Sequence, residues 1–332
     1  MTSKTTLPLY LTATAASLFG NSAIAIVLPW LVLERTGDPA MAGTVAAASA
    51  LPGAIAAFAG GHLIDKVGRR RMSVLSDVGS ASAVAALAIV DAAVGLNVAW
   101  FIGLGVLGAL FDVPGMTARE TLLANVSETS GVGLDKVAAW RGMLFGLSFL
   151  AGPAVAGWLL TLLPSIQVLW ITATCSAAAA LAIGLMPLRP TAIAAAEDNS
   201  PLAGFTHIRR SRPLLTLLVI SLGSMVLVAP LLSVVLPAHF IALAAPGLLG
   251  LSLSAYAVGT MAGSGVYGWL FDGRRWTAWM VANLLYVVSA VLIATVSGFW
   301  LVAAGMMAAG LASGLLQPIS TVVLTEQVPD AL

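Results

Sequence analysis

Long charge-free stretches, broken by short charged ones, set the pattern of this chain. Residues 5–33 and 39–64 carry no charged side chain. Each stretch is long enough for one helix across a hydrocarbon core about 30 Å thick, which takes about 20 residues. Residues 142–188, 213–271 and 276–325 are equally charge-free and about twice as long, so each predicts two helices joined by a tight turn. The turns fall near Pro164 and Ser165, at residues 238–247, and at Ser297 and Gly298. Between Arg71 and Arg119 only Asp77, Asp91 and Asp112 interrupt the apolar sequence, which predicts two further helices with a break at residues 95–97. The sum is ten spans, an all-α polytopic membrane protein. The first apolar run is too long for a signal-peptide core and lacks a small-residue cleavage site, so it is read as the first span.

Composition agrees. Apolar residues make up 59 % of the 332 and charged residues 9 %, where a soluble domain has about 25 % charged. A soluble enzyme of this size is excluded, and no catalytic residues are expected. The 33 glycines and 16 prolines suit packed membrane helices. A net charge of +1 gives no electrostatic basis for binding nucleic acid. Cys175 is the single cysteine, which rules out a disulfide framework or a cysteine-based metal site. His62, His207 and His239 lie far apart in sequence, so no metal site and no Ser-His-Asp set is expected. A phosphate-binding Gly-x-x-x-x-Gly-Lys-Ser/Thr loop is also missing, so ATP is not hydrolysed by this chain and no cofactor is expected.

Numbering the loops alternately places the lysines and arginines on one side, with Arg35 alone on the other out of 15. The positive-inside rule then sets the N-terminus in the cytoplasm of a multi-pass protein of the plasma membrane. Trp30, Trp100, Trp158, Trp170 and Trp300 fall near the opposite helix ends, as an interfacial aromatic belt requires.

The chain also repeats itself weakly. Gly61-His-Leu-Ile-Asp65, followed by Arg69–Arg71, recurs as Gly268-Trp-Leu-Phe-Asp272, followed by Arg274 and Arg275. Leu28-Pro29 matches Leu236-Pro237, and Pro114 matches Pro318, at nearly the same offset. Such tandem halves are common in secondary transporters. The expected organisation is a six-helix bundle at 1–188, a cytoplasmic linker at 189–212, and a second bundle at 213–332 with four helices. The expectation is a pair of pseudo-symmetric bundles in which the last two of twelve spans are missing.

At this point the residues resemble a family. Gly61-x-Leu63-x-Asp65-Lys66-x-Gly68-Arg69-Arg70 resembles the loop 2–3 signature of the major facilitator superfamily. Gly152-Pro153-x-x-x-Gly157 in span 5 resembles the glycine-proline motif of its proton-coupled exporters. Pro114-Gly-Met-Thr-Ala-Arg119 and Gln327-Val-Pro-Asp330 are similar to its exporter branch, near the macrolide-efflux and siderophore-export types. The resemblance implies two helical bundles and transport by alternating access. It further implies that Gly61, Asp65, Gly68, Arg69 and Arg70, with Asp272, Arg274 and Arg275 in the second half, form a cytoplasmic gate. The other reading of those charges is a topology anchor whose arginines meet lipid headgroups.

Asp77 and Asp112 are ionisable residues inside spans, which are costly and mark pathway or relay candidates with partners. Arg119, Arg141 and the Arg69–Arg71 cluster are the candidate partners. Either one carboxylate carries a proton as the gate moves, or each only neutralises an arginine. Asn21 and Gln317 are neutral and deep enough to line a midplane cavity, or to make an interhelical hydrogen bond. Gly152, Pro153 and Gly157 mark span 5 as either a bent seal or ordinary close packing. The expected function is secondary active transport, as proton-coupled efflux of small hydrophobic or amphipathic molecules by a monomer in the bilayer. The alternatives are a truncated non-transporting paralogue or membrane scaffold, or an importer of a neutral metabolite.

Overall fold

The structure, a computed structural model, describes residues 4–188, 215, 246–271, 274–294 and 298–327. Ten helices and their connections account for all of these except the isolated Leu215. They are α1 (Thr6–Thr36), α2 (Pro39–Val67), α3 (Arg69–Val94), α4 (Val98–Thr121), α5 (Leu123–Ser130), α6 (Leu134–Leu162), α7 (Ser165–Leu185), α8 (Pro246–Leu270), α9 (Arg275–Ala294) and α10 (Phe299–Gln327). Nine of the ten predicted segments coincide with helices. The seventh lies outside the described residues, as do the linker 189–212 and Asp272. Among the described residues seven helices are long and apolar enough to cross a membrane.

The breaks follow local chemistry. Asp38 caps α2 by accepting from the Ala40 N–H, with Pro39 in the first turn, where its missing N–H costs nothing. Asn97 caps α4 by accepting from the Trp100 N–H. Gly68 joins α2 to α3 at φ 90°, a backbone conformation that a side chain at this loop position would oppose. α5 was not foreseen; it lies in what the hydropathy pattern reads as a polar loop, and it buries Leu123, Val126 and Thr129.

The chain divides into two compact units, Met1–Val132 with Ser148–Ile193, and Gly133–Leu147 with Ala194–Leu332. In the first, α1 and α3 pack against α7, and α2 and α3 against α4. Its core gathers Val27, Leu31, Val84, Leu87, Phe101, Val168 and Leu169. In the second, α8 and α9 pack against α10 around Tyr267, Ala278, Ala282, Ala312, Leu315 and Ile319. The α8–α10 contact is backbone on backbone. A Cβ at Gly259 or Gly263 would strike the Met307 or Leu311 carbonyl, and one at Gly310 or Gly314 the Tyr256 or Thr260 carbonyl. Small residues at i and i+4 on both helices let them approach this closely. Elsewhere large apolar side chains face outward, among them Leu181, Leu185, Val94 and all five tryptophans of the expected belt. That is the surface a lipid-facing helix needs.

Candidate functional site

The first site grows from the spacing on α3. Ser73, Ser76, Asp77 and Ser80 recur at helical period and form a buried polar stripe, which continues as apolar Ala83, Val84 and Leu87. Against it α4 turns Gly115, Ala118 and Arg119, and α1 turns Tyr10, Thr14 and Ser17. The Arg119 guanidinium donates to the Asp77 carboxylate at 2.9 Å, with 5 % and 3 % of the two side chains exposed. The Ser17 hydroxyl donates to the same Asp77 oxygen at 3.1 Å, and the Tyr10 hydroxyl donates to the Arg119 backbone carbonyl at 3.1 Å. Gly115 makes room: a Cβ there would lie 2.6 Å from the Ser76 side chain and 3.6 Å from the guanidinium.

Asp112 sits one helical level away on α4, accepts a hydrogen bond from Ser80, and is near enough to Asp77 and Arg119 to feel both charges. Asp77 alone bonds the guanidinium, while Asp112, seven residues before Arg119 on α4, feels its charge. The network is also incompletely bonded. Thr14 Oγ1, Ser73 Oγ, Ser76 Oγ, Asp77 Oδ2 and Arg119 Nε are buried with no hydrogen-bond partner among the described residues.

In the second unit three helix ends meet. Arg275, opening α9, grips Asp135 at the start of α6 in a fork, Nε to Oδ1 and Nη2 to Oδ2, both 3.1 Å. The hydroxyl of Tyr267, fully buried near the end of α8, donates to Asp135 Oδ1 at 2.5 Å. Forked pairing of this kind is directional as well as strong. Higher on α6, a Cβ on Gly142 would collide with Ser264 and come within 3.5 Å of the Gln317 amide oxygen, and one on Gly146 would collide with Met261. Ser264 donates to the Gly314 carbonyl at 3.0 Å, whereas Gln317 Oε1 is buried with no hydrogen-bond partner among the described residues.

The remaining candidates separate by position. Arg119, Asp77 and Asp112 come together. Arg141 is buried on α6 in the second unit. Asp65 is exposed, with Arg69 close enough to act on it electrostatically. Arg70 turns instead to the end of α7, donating from Nε to the Ile183 carbonyl and from Nη2 to the Gly184 carbonyl. Gly61 and Gly157 have open space where a Cβ would stand, and Gly152 packs directly on Ser22 of α1, beside half-buried Asn21. Pro153 falls inside the continuous helix α6, and Arg274 is exposed.

Sequence reasoning missed Asp135, Ser17 and the pairing of Arg35 with Asp91. The signal for Asp135 is an acid in the first turn of a long apolar helix, where the helix dipole favours a negative charge. Arg35 and Asp91 form a fork with oxygens 2.9 and 2.6 Å away, joining α1 to α3 at the ends opposite Arg69. Each was the one charge of its kind near its helix end, and that coincidence was the available signal.

Seven of the described helices are of membrane-spanning length and composition, with charged side chains buried between them. The chain belongs to the Major Facilitator Superfamily, whose profile matches residues 10–243. The Sugar (and other) transporter profile matches residues 241–332. The chain is 32 % identical over 327 residues to the multidrug efflux pump Tap of Mycolicibacterium fortuitum, covering 94 % of this chain and 79 % of that protein. It is 31 % identical over 338 residues to the protein of the same name in Mycobacterium tuberculosis strain H37Rv, covering 98 % and 80 %. Among solved structures it resembles the human organic anion transporter MFSD10 (TETRAN), with a TM-score of 0.73 at 19 % identity, covering 96 % of this chain and 85 % of that one. It also resembles a bacterial homologue of the iron transporter ferroportin, with a TM-score of 0.70 at 15 % identity, covering 98 % and 85 %. At these identities the structural matches speak for the fold alone.

Proposed function

We propose that this protein is a proton-coupled exporter of small hydrophobic or amphipathic molecules, working by alternating access in the plasma membrane with its N-terminus in the cytoplasm. The similarity to proteins named multidrug efflux pumps supports export, and the distribution of lysine and arginine supports the orientation. The observation that carries proton coupling is the set Asp77, Asp112 and Arg119. Two carboxylates against one guanidinium leave one negative charge inside a helix bundle, which is costly to keep there. One proton on Asp112 neutralises the set and leaves the Asp77–Arg119 bond intact. Loss of that proton frees Asp112 to compete for Arg119. The partner exchange shifts α4 relative to α3, and so couples protonation to helix packing.

The sequence halves 1–188 and 213–332, joined by the linker 189–212, are the two bundles that rock in this cycle. The Asp135–Arg275–Tyr267 fork in the second unit and the Asp65–Arg69 pair in the first each hold helix ends together in one state and release them in the other. Asn21 and Gln317 line the route, and Gly152, packed on Ser22 and followed by Pro153, lets α6 slide closely against α1. The protein works as a monomer. One charge moving through 100 mV supplies about 2.3 kcal/mol, enough for roughly a fifty-fold gradient without ATP.

The test is reconstitution of the full reading frame into proteoliposomes holding a pH-sensitive dye, with a panel of lipophilic cations and neutral drugs added outside. Proton movement that depends on the added compound is the expected result. Compound movement without protons would discard the coupling, and uptake of neutral metabolites instead would favour an importer. No movement with any compound would favour a scaffold that keeps the fold without the cycle.

A further inference from the structure

Arg70 and Arg71 follow one another at the start of α3, yet their surroundings differ. Arg70 is committed to α7: its Nη2 lies 2.5 Å from the Gly184 carbonyl and its Nε 3.2 Å from that of Ile183. These carbonyls belong to the last turn of α7, which carries the negative end of the helix dipole, and that of Ile183 also accepts from the Met186 N–H at 3.3 Å. Arg71 is exposed and makes no hydrogen bond or ion pair among the described residues. Together the two arginines form the head of a groove of about 390 Å³, whose remaining walls are Val74, Leu75 and Gly184. The groove is cationic at the helix ends and apolar further along. The apolar surface continues on both helices, with Val78 47 %, Leu181 65 % and Leu185 73 % exposed. Thr6 donates to the Pro187 carbonyl at 2.9 Å, which brings the start of α1, with exposed Lys4, to the same end.

We propose that this α3–α7 groove is a binding site for one anionic phospholipid. Its phosphate would meet Arg71, and one acyl chain would lie along Val74, Leu75 and Leu181. Two guanidinium charges face about half a charge from the helix terminus, so the head of the groove keeps a positive excess that a zwitterionic headgroup leaves uncompensated. The apolar half of the groove selects against a free anion, for which those walls offer nothing.

The test uses the full chain with Cys175→Ser and Leu185→Cys, labelled with a fluorophore and placed in nanodiscs. Quenching is compared between phosphatidylglycerol and phosphatidylcholine carrying a nitroxide close to the headgroup. Expected is a preference for phosphatidylglycerol of roughly five-fold, the factor one basic side chain gives near an anionic surface. Arg71→Gln should abolish the preference and Arg71→Lys should keep it. Leu75→Glu, which places a carboxylate in the same groove, should abolish it independently. Equal quenching by the two lipids, or a preference untouched by Arg71→Gln, overturns the proposal. A preference removed by inorganic phosphate at constant ionic strength also overturns it, and points to a free-anion site.

Discussion

Asp77 on α3 and Arg119 on α4 form a 2.9 Å ion pair that is almost completely closed to the surface, 42 residues apart in sequence. A pair this deep is strongly asymmetric in its energetics. Removing one partner strands the other charge and costs about 3–5 kcal/mol, whereas removing both costs far less. Arg119→Gln and Asp77→Asn alone should each lower the thermal unfolding midpoint in detergent clearly, and the double variant should recover most of the loss. A double variant no better than the worse single one would mean that the pair is not the unit that matters.

The fork between Arg35 and Asp91 provides the contrast. Its arginine is 37 % exposed, and exposed pairs contribute about 0–1 kcal/mol. Asp91→Asn should therefore change the unfolding midpoint little in the same assay. A shift as large as that of Asp77→Asn would show that exposure is the wrong guide here.

The α8–α10 crossing depends on missing side chains. At Gly310 a Cβ would collide with the Tyr256 carbonyl, and at Gly259 with that of Met307. Neither obstacle is the flexible tip of a side chain, so the helices themselves must part. Gly310→Ala and Gly259→Ala should each destabilise by about 1–3 kcal/mol or more, the usual cost of overpacking. Gly157→Ala has open space around it and should be neutral or slightly stabilising, because alanine favours a helix over glycine. Size-exclusion profiles after graded heating would separate the three variants. Equal sensitivity of all three would contradict the crossing.

Asp135 is held by a planar fork and by a phenol. A point charge reproduces neither the plane nor the two parallel bonds, so Arg275→Lys should behave more like Arg275→Gln than like the parent protein in transport rate. Tyr267→Phe removes one donor and should cost about 1 kcal/mol of stability. Full activity in Arg275→Lys would show that charge alone suffices at this end of α9.

Much of this was legible beforehand. Charge-free runs gave the helices, and the breaks at residues 95–97 and near Pro164 fall where glycine, asparagine and proline end a helix. The intramembrane acids were visible because a charge in an apolar helix is rare, and Arg119 was already among the partners considered for Asp77. Two things were hidden. Periodicity on one helix says nothing of which neighbour it meets, so Ser17 and Ser80 looked like ordinary small residues. The Asp65 loop repeats near Asp272, and the repeat marks both as helix-end charges without saying which helix each arginine meets. In the structure Arg70 and Arg275 reach other helices, which only tertiary packing decides.

Proton coupling through Asp112 is tested most directly by Asp112→Asn, which keeps the shape and the hydrogen bond from Ser80 and removes the charge. In proteoliposomes, exchange of a labelled substrate across the membrane without a gradient should persist. Proton movement driven by that substrate should fall to background. Substrate-driven proton movement at the parental rate in Asp112→Asn would contradict a proton site at Asp112 and leave the acid as a structural partner of Ser80.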